Sequence, residues 1–112
     1  MTRLALILGL ITTISACGSP NGVGPGQRLI VTTSNYAFAP ESTTVAVGTT
    51  VTWNVTTGTH TVTFTDAAPS GGSSDSLTGP TQFVRTFDTP GIYDYFCEFH
   101  VEAGMFGEIV VQ

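Results

Sequence analysis

Lysine is absent from the 112 residues, and three arginines stand against eight aspartates and glutamates, a formal net charge of -5. That balance excludes nucleic acid as a partner, because binding phosphates takes several clustered cations. No apolar run approaches the roughly 18–20 residues that a membrane-spanning helix requires. Histidine, cysteine and methionine occur twice each, so any site built from them must be small. A Gly-rich phosphate loop and a spare Ser–His pair are also missing, which removes the usual parts of phosphoryl and acyl transfer. Charged residues make up only 10% and hydrophobic ones 41%, too apolar for a disordered chain. From residue 17 onward, valine (11) and threonine (17) supply 28 of 96 positions, while leucine is scarce. β-branched residues among many turn formers favour strands over helices. The length fits one compact, acidic, all-β domain.

The first residues read as an address. Arg3 precedes an apolar stretch from Leu4 to Ile14, and Ser15-Ala16-Cys17 follows. A cation, a short apolar segment and small residues form the pattern of a secretory signal. Ile14-Ser15-Ala16-Cys17 also resembles the lipobox of bacterial lipoproteins, which implies export, cleavage of residues 1–16 and a diacylated Cys17. A plain secreted protein with cysteine at its cleavage site is the alternative. Residues 17–27, rich in Gly and Pro, have the composition of a flexible tether, leaving 28–112 as the domain. With Cys17 acylated, Cys97 is a lone exported thiol, which must be buried or put to use. Without acylation, a 17–97 disulfide stays formally open.

Along the domain the apolar residues alternate. Leu29–Thr33 reads as a strand. Val45, Val47, Val51, Trp53 and Val55 share one face around a turn at Gly48-Thr49, and His60, Val62 and Phe64 repeat the pattern. Asp66–Pro80 reads as a long loop carrying a short excursion or a turn of helix. Phe83–Phe87, Ile92–Cys97 and Gly107–Val111 complete a set of about seven or eight strands, the pattern of two packed sheets.

Both histidines, Cys97 and the only methionine beyond the initiator form one constellation: His60, then Cys97-x2-His100-x4-Met105. A soft thiolate, two imidazoles and a thioether favour copper over magnesium, calcium or manganese, which prefer oxygen. Zinc would accept one cysteine and two histidines, but a thioether is a poor fourth ligand for it. Two histidines and a cysteine with a distant methionine is the blue-copper arrangement.

Over about Arg28–Gln112 the chain resembles the cupredoxins, in particular the plastocyanin and pseudoazurin branch. Tyr36-x-Phe38-x-Pro40, Val45-x-Val47-Gly48-Thr49-x-Val51-Thr52-Trp53 and His60-Thr61-Val62 carry the first half. Phe87-x-x-Pro90-Gly91-x-Tyr93-x-Tyr95-x-Cys97-x-x-His100-x-x-Ala103-Gly104-Met105-x-Gly107-x-Ile109-x-Val111 carries the second. The resemblance implies an eight-stranded Greek-key β-sandwich holding one copper ion that cycles between Cu(I) and Cu(II). His60, Cys97 and His100 would be equatorial ligands and Met105 a weak axial one, with the Thr61 amide donating to the Cys97 sulfur. Phe99 stands where plastocyanins commonly have proline, restoring an N–H beside the sulfur. His60 should be the buried histidine and His100 the exposed one. Ala103, Gly104 and Phe106, with Glu98 and Glu102, would surround the point of partner contact.

These readings give a monomeric electron shuttle, not an enzyme, lipid-anchored at Cys17 in the bacterial envelope or periplasm. Its partner would be a transiently bound cytochrome or oxidoreductase. Two other readings stay open on the same fold: a copper-binding or copper-delivery protein without shuttling, and a metal-free interaction module. Trp53, Phe64, Phe83, Phe87 and Phe96 read as core, Arg28 and Arg85 as surface charges, and Asp94, Glu98, Glu102 and Glu108 as a local acidic run.

Overall fold

The computed structural model describes Gly22, Val23 and residues 26–112. The expected signal segment, Cys17 and most of the tether lie outside the described residues. The strands in chain order are β1 (Gly22–Val23), β2 (Arg28–Ser34), β3 (Ala37–Ala39), β4 (Ser42–Val45), β5 (Thr49–Val55) and β6 (Thr59–His60). They continue as β7 (Thr63–Phe64), β8 (Leu77–Thr78), β9 (Thr81–Phe87), β10 (Gly91–Phe96) and β11 (Phe106–Val111). One sheet has the order β1-β4-β11-β10-β7, a second β3-β2-β5-β9, and β6 pairs with β8 alone. Three joins among the described residues, β1 with β4, β4 with β11 and β2 with β5, are parallel. Such pairs need crossovers between the sheets rather than hairpins, and they make a sandwich of the expected kind.

Alternation sets the core. Val51, Trp53 and Val55 of β5 are fully buried, as are Val31 of β2 and Phe87 of β9. Trp53 lies at the centre, with the rings of Tyr95, Phe83, Phe64 and Phe87 at centroid distances of 5.4, 5.5, 6.1 and 6.3 Å. The turn into β5 needs Gly48, whose φ of 90° suits glycine, and the Thr49 amide closes it on the Ala46 carbonyl at 3.2 Å.

Two expectations change, and the loop over Asp66–Pro80 takes the first of its two alternatives, a short excursion. The alternation of His60, Val62 and Phe64 is real in burial, but the segment is two short strands in different sheets. It breaks because the Val62 and Phe64 amides are taken by the hydroxyls of Ser74 and Ser73, at 2.8 and 2.9 Å. The loop expected over Asp66–Pro80 contains β8, and no turn of helix; serine hydroxyls replace ladder bonds there. Arg85 is no free surface charge. Its Nε and Nη2 donate to the carbonyls of Gly72 (2.9 Å) and Gly71 (3.2 Å), and its guanidinium lies 4.2 Å from the Phe83 ring centroid. It pins that loop to β9.

Candidate metal centre

The site is assembled at one end of the sandwich from two distant stretches. His60 ends β6 and is 1% exposed. Its Nε2 is 2.8 Å from the Thr57 carbonyl oxygen. A carbonyl only accepts, so Nε2 carries the proton and Nδ1 keeps its lone pair. That free Nδ1 faces the Cys97 Sγ at 3.8 Å. The turn presenting Thr57 is tight: Gly58 has φ 79°, and a Cβ there would sit 3.0 Å from His60 Nε2.

Cys97 follows β10 and is fully buried. Its amide donates to the Met105 carbonyl at 3.1 Å, closing the ligand loop at its base. Its carbonyl accepts the His100 amide at 3.2 Å. His100 precedes a single 3-10 turn, Val101–Ala103, and its own carbonyl accepts the amides of Ala103 and Met105. Gly104, left-handed at φ 77°, reverses the chain so that Met105 points in, fully buried, before β11 begins. His100 is half-buried, with Nδ1 3.4 Å from the Cys97 sulfur. The two imidazole rings are 5.0 Å apart.

One donor atom each from His60, Cys97 and His100 thus falls within 4.8 Å of the others. Two buried or half-buried imidazole nitrogens aimed at one sulfur are what a soft metal needs, and Met105 adds a thioether to the set. The residues fit copper.

Thr61 reaches the ligand loop through its hydroxyl. The amide of Glu98 donates to Thr61 Oγ1 at 2.9 Å, and that hydroxyl also pairs with Thr63 Oγ1 at 2.9 Å. Among the described residues, the side-chain nitrogens that approach the sulfur are the two Nδ1 atoms. Phe99, Val101 and Phe106 are 55, 42 and 48% exposed, and Ala103, Gly104, Glu98 and Glu102 are exposed beside them. The acidic run divides. Asp94 and Glu108 oppose each other across β10 and β11, away from Glu98 and Glu102 in the loop. Desolvation, with a hydrogen bond and like charge from Glu108, raises the Asp94 carboxyl above its usual range. Tyr36, quoted from the sequence only as part of the family pattern and given no role there, meets the His100 ring in a T-shaped contact at 4.8 Å.

Residues 27–112 match the family of copper binding proteins described as plastocyanin/azurin. The chloroplastic plastocyanin of Tetradesmus obliquus is 39% identical over 84 residues, covering 67% of this chain and 58% of that one. Halocyanin of Natronomonas pharaonis is 35% identical over 96 residues, covering 80% and 58%. The chain therefore spans less than two thirds of the length of these relatives. Among solved structures, a reduced amicyanin variant superposes with a TM-score of 0.65 at 27% identity, covering 76% of this chain and 82% of that one. A copper-containing nitrite reductase from Thermus scotoductus SA-01 superposes equally well at 26% identity, covering 76% and 22%. The chain belongs to the plastocyanin/azurin family of copper proteins, with a cupredoxin fold. His60, Cys97, His100 and Met105 form its type 1 copper site.

Proposed function

We propose that this protein is a one-electron carrier, exported and held to a membrane of the cell envelope by lipid at Cys17. The observation that carries the reading is the pre-gathered ligand set, with one histidine buried and the other half-buried among exposed apolar side chains. Copper, when bound, supplies a couple between Cu(I) and Cu(II). The protein's part is to keep the ligands from rearranging as the charge changes. Thr57 fixes the His60 tautomer, the Cys97–Met105 bond closes the loop, and Thr61 ties that loop to the strand carrying His60. Rigid placement of this kind keeps the cost of each transfer low.

The half-buried His100, with Phe99, Val101, Ala103, Gly104 and Phe106, offers a low-relief surface for a redox protein. Transient electron-transfer contacts are small, and Glu98 and Glu102 would favour a cationic partner. Both histidines of the chain are committed to this centre, which supports a carrier over an enzyme needing a second metal cluster.

The test loads the purified chain with Cu(II) and records its visible spectrum beside Cys97→Ser. An intense thiolate-to-copper band is expected, absent from the variant and bleached reversibly by a mild reductant. Tight Cu(I) binding with no such band would move the reading to copper delivery. The anchor is tested separately by fractionation and mass spectrometry: Cys17→Ala should leave the membrane fraction and lose the acyl mass.

A further inference from the structure

The turn joining β2 to β3 holds an anomaly. Its register pairs Ser34 with Ala37, leaving Asn35 and Tyr36 as the two-residue loop. Tyr36 is the one non-glycine residue with positive φ among the described residues, at 59°. That left-handed backbone suits Gly and Asn and is disfavoured for a bulky side chain. The Tyr36 side chain is also 58% exposed, so core packing does not explain why an aromatic occupies this position. Among the described residues, the one ring it meets is His100, in a T-shaped contact at 4.8 Å and 78°. A strained conformation kept at a functional site points to a role there.

The hairpin is well placed for such a role. Phe38, two residues on, is 3% exposed and packs edge-on to Tyr95 at 4.8 Å, fixing β3 in the core. The Thr33 carbonyl opposite accepts the Thr56 amide at 3.1 Å, and Thr56 adjoins the Thr57 carbonyl that orients His60. One rigid hairpin thus borders both histidines.

We infer that Tyr36 is a positioning residue for the metal centre, holding the His100 ring in its ligating orientation from the solvent side. His100 is the ligand with most freedom: it sits on a loop, half-exposed, beside a single 3-10 turn. The Tyr36 ring, in T-shaped contact with the imidazole, occupies space the imidazole would need in order to swing outward. The left-handed backbone is what aims the Tyr36 ring.

The inference rests on His100 being a copper ligand, so its test includes a reading without metal. Three variants separate ring from backbone: Tyr36→Phe keeps the ring, Tyr36→Asn keeps a residue tolerant of the turn without the ring, and Tyr36→Gly relaxes both. In the apo protein, side-chain NMR relaxation of the His100 imidazole should show increased mobility in the Asn and Gly variants and none in Phe. In the copper-loaded protein, transfer of copper to a competing chelator should be roughly two- to tenfold faster for Asn and Gly, the range of a lost aromatic edge contact. Tyr36→Phe should release at the wild-type rate, and the thermal midpoint of Tyr36→Gly should equal or exceed wild type, since the turn is relaxed. Wild-type ring order and release rates in the Asn and Gly variants would overturn the inference. So would a Phe variant as impaired as they are. A wild-type protein lacking the thiolate band would overturn the ligand assignment, while the apo relaxation data would still decide whether Tyr36 restrains the ring.

Discussion

Gly107 has no room for a methyl group, and the consequence can be worked out. It pairs with Tyr95 across β10 and β11, and a Cβ built on it would fall against Cζ, Cε2 and Oη of that ring, closer than real Cβ atoms approach. The ring is 1% exposed and enclosed by Phe38 at 4.8 Å, Trp53 at 5.4 Å and Phe64 at 6.0 Å. Gly107→Ala must therefore drive Tyr95 off its position or part the two strands. Overpacking costs about 1–3 kcal/mol and sometimes more, and a ring enclosed on every side belongs at the upper end. Against a total stability of about 5–15 kcal/mol, that is a large fraction. A loss of about 3 kcal/mol lowers the midpoint of a domain this size by roughly 12–24 °C. Circular dichroism melts of the apo protein measure it. The double variant with Tyr95→Leu, which removes the obstructing ring, should recover at least about 1 kcal/mol relative to the sum of the single changes, the coupling expected of residues in contact. A Gly107→Ala midpoint within about 3 °C of wild type would refute the packing argument, as would strict additivity in the double variant.

Three further outcomes follow from the same geometry. Burial, ahead of a smaller push from the Glu41 carboxylate, raises the Tyr95 phenol from 10.0 to about 12. The unfolded chain loses this proton first, so stability should fall from pH 10 to 12 by about 3 kcal/mol; denaturant titrations of Tyr95→Phe should show a shallower fall over that window. Gly79→Ala would place a Cβ 2.8 Å from Thr56 C and Thr57 N, displacing the carbonyl that holds His60; an altered copper spectrum and weaker binding are expected, and a wild-type titration would count against that role. Arg85→Met frees the loop around Gly71 and Gly72, with local opening eased by about 1–2 kcal/mol; limited proteolysis should cut within 66–76 at least about fivefold faster while the visible spectrum stays unchanged.

Much of this architecture was legible along the chain because it rests on period-two burial. Val51, Trp53 and Val55 point inward as their spacing implies, and the Cys97–His100–Met105 spacing places three ligands on one loop. What was not legible depends on partners far away in sequence. The break between β6 and β7 exists because Ser73 and Ser74 supply hydroxyls to Val62 and Phe64, and nothing local to residues 60–64 announces it. Arg85 looked like a solvated charge until the carbonyls of Gly71 and Gly72 arrived beside it. The hydroxyl of Thr61 ties down the loop through the Glu98 amide, 37 residues away in sequence. Tyr36 was hidden because a turn favouring Gly or Asn is recognised by those residues, and here neither occupies the left-handed position.

The separation of His60 from Cys97 also bears on when the metal can be captured. The two segments are joined by the β7–β10 pairing, Thr63 with Phe96 and Phe64 with Tyr95, which, like the parallel β2–β5 and β4–β11 joins, is a non-local contact of the slow-forming kind. A chain that has not formed the β7–β10 pairing can offer the loop-borne donors alone, without the imidazole that Thr57 orients. Full-strength copper capture is thus reserved for molecules that have finished folding. The colour of the loaded site would then report correct assembly, one molecule at a time, before any electron is carried.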